Sequence, residues 1–466
     1  AGVGKTGIMS KLVRDRAHVV VGYHFCRHDD HRRSDPRRML CSLAYQLACS
    51  FPTYREALEK LGLERKDLKE EQVTSLFNLL FLGPLSAMDE QTERRVLLID
   101  ALDECEHGGE NNILSCIAQH FVKLPKWLGV YLTTRPEAPI TEKLNKFHPT
   151  ELRPENQNNM DDVRMYFASL LDDVAGKELK SNPVALSKGV DVLTTKSKGL
   201  FIYASMAGEK LRGAKERGGG GATLTLQELE EFPEGLDDFY QIQMKRVAPS
   251  LDSLEWRTVE FATAAKEPLH VEMVQRLLQC TRREKNKVVA RLSRFFPIRD
   301  RKLQVYHKSV KDWLTRKERR DEDMYVDVRE VGKVLAMRCL EMLESLSGSE
   351  SGSGSGSGSG DDEIDQDTLQ YALKHGVAHL LEAGRSKDAR RLVLDLNWLM
   401  ARGEDGVGVM EDCRRFVRDD PDDRTVALIE RAVGLSLSDL RKDPRRMRGQ
   451  LVGRLLSVVR EVREGG

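Results

Sequence analysis

The stretch Val96-Leu97-Leu98-Ile99-Asp100-Ala101-Leu102-Asp103-Glu104 decides how this chain is read. Four apolar residues, β-branched at both ends, make a short continuous run of the kind buried on both faces of a parallel sheet. The run stops at an aspartate, and a second carboxylate pair follows. Asp100 therefore stands at the carboxyl end of a buried strand, where open α/β sheets place their ligands, with Asp103 and Glu104 on the loop beyond. One such carboxylate can hold Mg²⁺ through water, and another can polarise an attacking water. Alone, the same residues also fit an acidic loop that caps the next helix.

A second stretch bears on that choice. The chain opens with Ala1-Gly2-Val3-Gly4-Lys5-Thr6, and Gly4, Lys5 and Thr6 match the end of the phosphate-loop pattern G-x-x-x-x-G-K-[ST]. The first glycine of that pattern would fall two positions before Ala1, so the loop and the strand expected before it begin upstream of residue 1. A helix is expected from Thr6 to about Arg16. The chemistry needs these residue types: glycines let backbone N–H groups approach phosphates, and the helix N-terminus adds its dipole. Lys5 would neutralise charge between β- and γ-phosphates, and Thr6 would offer its hydroxyl to Mg²⁺.

Composition sets outer limits. The 466 residues are enough for three or more domains, and Lys+Arg and Asp+Glu are both 74, so no overall basic field argues for nucleic acid. Charged residues are 32% and hydrophobic ones 40%, which suits helical domains in water. Eight cysteines are scattered without a C-x-x-C pair, which, beside a nucleotide motif, points to a reducing, cytoplasmic setting. No apolar run approaches the length of a membrane span.

Along the chain, Val19–Cys26 reads as a strand rich in Val and aromatics. His24, Cys26, His28 and His31 lie close enough to raise the idea of zinc. Strand alternation would split such ligands between faces and the spacing fits no standard site, so a surface loop entering a helix is the better reading. Asp35-Pro36 fits an N-cap with Pro at the first helical position, and Met39, Leu40, Leu43 and Leu47 share one side of the helix that follows. Residues 54–88 and 112–121 read as helical. Residues 127–136 read as another buried strand, which would bring Thr133, Thr134 and Arg135 out at the same sheet edge as Asp100, where a γ-phosphate sensor belongs. A short strand near 150–152 would close the sheet.

After Pro154 the pattern is helical only. Val163, Tyr166, Phe167, Leu170 and Leu171 recur at helical spacing, one or two helices fill 184–211, Gly218–Gly221 breaks the chain, and a helix resumes at 226–231. Residues 236–320 read as helices followed by a strand-like end at 302–306, a winged-helix pattern. Arg282, Arg283, Lys285 and Lys287 cluster there, which keeps DNA binding in view as a lesser reading. Residues 347–360 are nearly pure Ser-Gly, a flexible linker. Beyond them Leu369, Leu373, Leu380 and Leu381, then Leu392, Val393, Leu396 and Leu399, recur at helical spacing, without an internal repeat of fixed period.

The expected organisation is thus an α/β P-loop NTPase core over 1–153, its first strand missing from the chain. A helical domain follows over 154–235, then a winged-helix-like domain with a following helix over 236–346. The Ser/Gly linker 347–360 and a helical arm over 361–466 complete it.

The motifs LLIDALDE and YLTTRPE, behind AGVGKT, resemble the NACHT-type NTPases of the signal-transduction ATPase class, with the nephrocystin-like branch nearest. GYHFCRHDD followed by DPRRMLCSLAYQLA is similar to the family's next strand and helix. SKGLFIYASMAGEKL, FPEGLDDFY and VYHKSVKDWL resemble its helical and winged-helix segments, and LRKDPRRMRGQLVGRLL resembles the helix that precedes WD-repeats. The resemblance implies a switch in which ADP, held in a closed form, exchanges for ATP, with protein partners, self-association and a repeat domain beyond the C-terminus. Carried over by position, Gly2, Gly4, Lys5 and Thr6 bind the nucleotide, and Thr6 and Asp100 hold Mg²⁺. Asp103 and Glu104 are candidates for orienting water, Glu104 before Asp103, and Arg135 is the sensor. His307, in VYHKS, is the winged-helix contact to the ADP β-phosphate. Relatives often carry G-x-P in the helical domain; Gly199-Leu200-Phe201 lacks the proline. Two readings follow: a slow ATPase switch, or an interaction scaffold with a structural or degenerate nucleotide site.

Overall fold

A computed structural model of the protein describes residues 2–62, 72–105, 112–217, 224–293, 296–320, 322–347, 366–402 and 406–464. The run Gly218–Gly221 and all but the first residue of the Ser-Gly stretch lie outside them. The chain divides into two compact units, 1–242 and 243–466.

The first unit is built on three strands: β1 (Val20–Phe25), β2 (Arg95–Asp100) and β3 (Leu128–Leu132). They lie side by side in the order β1-β2-β3, all parallel. The apolar run of β2 buries Leu97, Leu98 and Ile99, as a central strand covered on both faces should. Helix Lys5–Asp15 packs on β1 and β2, and helix Pro36–Ser50 packs on β1. The second of these starts as its sequence dictates: Asp35 accepts a hydrogen bond from the Arg37 N–H at 2.8 Å, and Pro36 fills the first position. It buries Met39, Leu40, Leu43 and Leu47. Beneath the sheet Phe77 stacks on both Phe81 and Phe121, with centroids 5.0 and 4.6 Å apart.

The two edges of this sheet differ. At β1, the Gln46 side chain accepts from the Tyr23 N–H and donates to the Tyr23 carbonyl, each at 3.0 Å, and so stands in for a neighbouring strand. At β3 no further strand follows among the described residues. Trp127 O accepts from Arg95 N, and Thr133 N donates to Ile99 O. By alternation the peptide groups of Val130 and Leu132 then turn away from β2. A cavity of about 1400 Å³ lies beside that edge, lined in part by Val130, Leu132, Ile140, Leu144, Phe147 and Leu152. The strand expected near 150–152 is not formed: residues 148–153 have no regular structure. Pro149 and Pro154 bracket the stretch and remove two of the N–H groups a ladder would need.

Three longer helices follow in the same unit: Gln157–Val174, Pro183–Ser197 and Phe201–Arg217. Val163, Phe167, Leu170 and Leu171 are buried as their spacing implied. Gly199 joins the last two at φ 73°, and a Cβ there would stand 2.0 Å from the Pro154 carbonyl oxygen, so only glycine fits.

In the second unit, helices Leu254–Ala264, Val271–Leu278 and Arg282–Leu292 accompany three two-residue strands, β4 (Leu269–His270), β5 (Ile298–Arg299) and β6 (Lys302–Leu303). The strands are antiparallel in the order β4-β6-β5. Asp300 and Arg301 close the β5–β6 hairpin with φ of 49° and 59°, the two left-handed residues of a tight hairpin turn. Lys285 is buried and paired with Glu272, which withdraws it from any basic surface made with Arg282, Arg283 and Lys287. Helix Val328–Ser347 packs on helix Gln366–Glu382, and further helices complete the unit. Leu373, Leu380, Leu392, Val393 and Leu399 are buried, whereas Leu396, expected with them, is exposed at the first position of helix Leu396–Ala401. No helix among the described residues is long and apolar enough to cross a membrane.

Candidate functional site

The site is built at the carboxyl edge of β2 in the first unit. Gly2 and Gly4 hold φ of 82° and 88°, a backbone that L side chains adopt only with strain. Gly4 is the N-cap of helix Lys5–Asp15, so Lys5 and Thr6 form its first turn. Gly2 is also crowded: its carbonyl accepts from Ile202 N–H at 3.1 Å, and a Cβ on Gly2 would stand 2.5 Å from Ile202 Cγ2. The glycine loop thereby docks on the start of helix Phe201–Arg217.

Asp100 ends β2 and is 2% exposed. Thr6 Oγ1 donates to its Oδ2 at 2.7 Å, and Thr133 Oγ1 donates to its Oδ1 at 2.6 Å. Each carboxylate oxygen thus takes one hydroxyl, from the phosphate-loop helix on one side and the end of β3 on the other. The parallel register makes this possible, because Ile99 pairs with Leu132 and leaves Asp100 and Thr133 one step further on.

The chain then turns sharply. Ala101 sits at φ 53°, uncommon for a residue with a Cβ. Two bonds hold it there: Ala101 N–H donates to Thr133 Oγ1 at 3.0 Å and Leu102 N–H donates to the Thr133 carbonyl at 2.9 Å. The single 3₁₀ turn Leu102–Glu104 presents the two remaining carboxylates. Asp103, 5% exposed, accepts from the Arg135 N–H at 3.0 Å and pairs with Arg135 Nε at 3.3 Å. Glu104 Oε2 accepts from the backbone N–H of His28 at 3.1 Å and meets His28 Nδ1 at 3.0 Å. Below this turn Cys26 and Cys105 touch; that contact and burial hold the Cys26 thiol protonated.

Lys5 completes the group. Burial pulls its ammonium below the ordinary lysine range, opposed by the charges of Asp103 and Asp100 and reinforced by that of Arg135. A cation drawn from water beside anionic side chains, at a helix N-terminus, is suited to receive a polyanion. Thr6 and Asp100 offer a hydroxyl and a carboxylate 2.7 Å apart, the hard oxygen donors that Mg²⁺ takes. No group of three or more His, Cys, Asp or Glu among the described residues is arranged to hold a metal by itself.

The sheet edge therefore brings together Gly2, Gly4, Lys5, Thr6, Asp100, Asp103, Glu104 and Arg135. His307 belongs to the second unit, where it is the N-cap of helix Lys308–Thr315; its Nδ1 accepts from the Ser309 N–H at 3.1 Å and lies 2.6 Å from Ser309 Oγ. Two site residues were not singled out from sequence in these roles. Thr133, expected at the edge, also bonds Asp100, and His28, expected on a surface loop entering a helix, also meets Glu104.

A family model described as nephrocystin 3, N-terminal, matches residues 1–135, a span that ends on Arg135 and contains every residue of the edge. Over 334 residues the chain is 23% identical to the vegetative incompatibility protein HET-E-1 of Podospora anserina, covering 67% of this chain and 24% of that protein. The chain spans about a quarter of the length of that curated relative. Together the two similarities support a NACHT-like family.

Proposed function

We propose that the protein is a nucleotide-dependent signalling switch that binds ATP or ADP with Mg²⁺ and hydrolyses ATP slowly to gate conformational opening and assembly. The observation that carries this reading is the Thr6–Asp100–Thr133 hydrogen-bonded set directly beside the Gly-Lys-Thr helix start. Backbone N–H groups of the loop and Lys5 receive the phosphates. Thr6 and Asp100 hold Mg²⁺, which when bound neutralises charge developing between the β- and γ-phosphates. Glu104 orients the water that attacks the γ-phosphorus, releasing ADP and phosphate. Arg135 exchanges its Asp103 partner for the γ-phosphate, so that the presence of that phosphate is felt at the turn following β2.

In this reading the helices and hairpin of the second unit are a winged helix, and the C-terminal helices an arm. Protein partners and self-association are the output. A second reading, a scaffold with a structural nucleotide site, is favoured by one observation: Asp103 is already engaged by Arg135.

The test is nucleotide content. Purified protein is denatured, the released nucleotide is identified, and Mg²⁺-dependent ATP binding and turnover are measured beside Lys5→Ala. Bound ADP or ATP lost in Lys5→Ala, with slow turnover in the parent, is the expected result. Binding without turnover selects the scaffold, and no binding at all overturns both.

A further inference from the structure

We infer that His28 is a positioning residue for ATP hydrolysis, fixing the rotation of the Glu104 carboxylate that orients the attacking water; this rests on the hydrolytic reading above. Two donors of one residue converge on a single oxygen: the His28 backbone N–H at 3.1 Å and its ring Nδ1 at 3.0 Å, both on Glu104 Oε2. For Nδ1 to donate to a carboxylate it must carry the proton, which selects the Nδ1–H form of the ring or the imidazolium. A carboxylate held by one bond can swing about its last torsion; one held from two directions on the same oxygen cannot, and its second oxygen is set in place.

The loop that carries His28 is anchored without it. Cys26 N–H donates to the Asp100 carbonyl at 3.0 Å, directly tying the loop to the end of β2. Arg27 Nη2 donates to Asp29 at 2.8 Å, and Asp30 caps the short helix His31–Ser34. Arg33 Nε donates to the Phe25 carbonyl at 3.0 Å, and His24 Nε2 meets the Arg33 carbonyl at 3.0 Å. The loop thus has its own scaffold, and among the described residues the polar contacts of His28 go to Glu104, 76 positions away. His28 side chain and Glu104 side chain are 28% and 15% exposed, a partly dry setting in which the bond holds direction.

The experiment is steady-state ATP hydrolysis by the parent, His28→Ala, His28→Asn and Glu104→Gln, with the melting temperature and ATP affinity of each. His28→Ala keeps the backbone donor and loses the ring; kcat is expected to fall about tenfold with KM unchanged, the size seen when an orienting partner is removed. Asn places an amide N–H near the position of Nδ1, so His28→Asn is expected to restore kcat to within about threefold of the parent. Glu104→Gln is expected to lower kcat by about a hundredfold or more. Unchanged kcat in His28→Ala beside a disabled Glu104→Gln overturns the role of His28 alone. Full turnover in Glu104→Gln, or none in the parent, overturns the hydrolytic reading and the His28 role together. If His28→Ala melts lower than the parent, His28→Asn decides: native stability with kcat still down about tenfold or more overturns the inference.

Discussion

Asp100 in the first unit and Glu267 in the second are both carboxylates on which polar groups converge, and their partners differ in kind. Asp100 is met by two hydroxyls, Thr6 and Thr133, with no cation at ion-pair distance among the described residues. Glu267 is met by ammonium groups: Lys374 Nζ at 2.7 Å and Lys302 Nζ at 3.8 Å, with His375 Nε2 at 3.6 Å. Lys374 and His375 lie on helix Gln366–Glu382, which also carries Tyr371 and His379; the Tyr371 hydroxyl lies 3.0 Å from His379 Nε2 and accepts from Lys266 N–H at 3.2 Å. His270 Nε2, beside Asp367 at 3.2 Å, adds a further tie. A carboxylate answered only by hydroxyls keeps its charge available to an incoming cation. One already neutralised by lysines on packed elements joins those elements and has little left to offer a ligand.

The largest effect expected from this contrast is in stability. Glu267→Leu leaves Lys374 and Lys302 without their carboxylate, and the second unit is expected to lose about 3 kcal/mol. Its urea midpoint, followed by the fluorescence of Trp256, Trp313 and Trp398, checks this; an unchanged midpoint breaks the comparison. Acid sharpens it. Burial above all lowers His375 to about 4 and His379 to about 3. The unfolded chain takes up those protons near 6.5 and the folded chain does not, so stability is lost as pH falls from about 6.5 towards 4. Burial would raise the Glu267 carboxyl, but His375 and Lys374 hold it well below the usual range, so its contribution is lost at still lower pH. Asp412, raised by burial to about 6, opposes the loss over its own narrower window. A midpoint that stays flat from pH 7 to 4 would contradict the histidine assignment.

Asp100→Asn comes next. The amide keeps an acceptor for one hydroxyl but carries no charge for Mg²⁺. ATP affinity measured with Mg²⁺ is expected to fall on the order of a hundredfold, about 2.7 kcal/mol, with the urea midpoint of the first unit little changed. An equal loss of affinity in the presence of a chelator would mean that Asp100 acts on the fold and not on the metal. The smallest effect belongs to Thr133→Val, which removes the donor to Asp100 and the acceptor for the Ala101 N–H. About 1 kcal/mol of stability is expected to go, read in the same urea titration.

Much of the first unit was legible in its sequence. A short apolar run ending in Asp, a Gly-Lys-Thr helix start and Asp35-Pro36 are local signals, and local physics settles them. Bonds between distant strands are different. That Thr133 would reach Asp100, and Arg135 reach Asp103, depends on the register of β2 against β3, which no local pattern states. His28, read as part of a surface loop entering a helix, is such a case too: the loop is formed, but its partner Glu104 lies 76 positions away. The strand expected at 150–152 followed apolar and β-branched residues and underweighted the prolines at both ends. The Glu267 group was invisible, since it draws on residues 266–270, 302 and 371–379, none of which forms a motif.

The covered edge of β1 carries a last consequence. Gln46 sits on helix Pro36–Ser50 and bonds both backbone groups of Tyr23, so a further strand cannot bond to that residue without displacing the side chain. One amide thereby ties the helix to the strand it packs on and blocks strand addition at the same point.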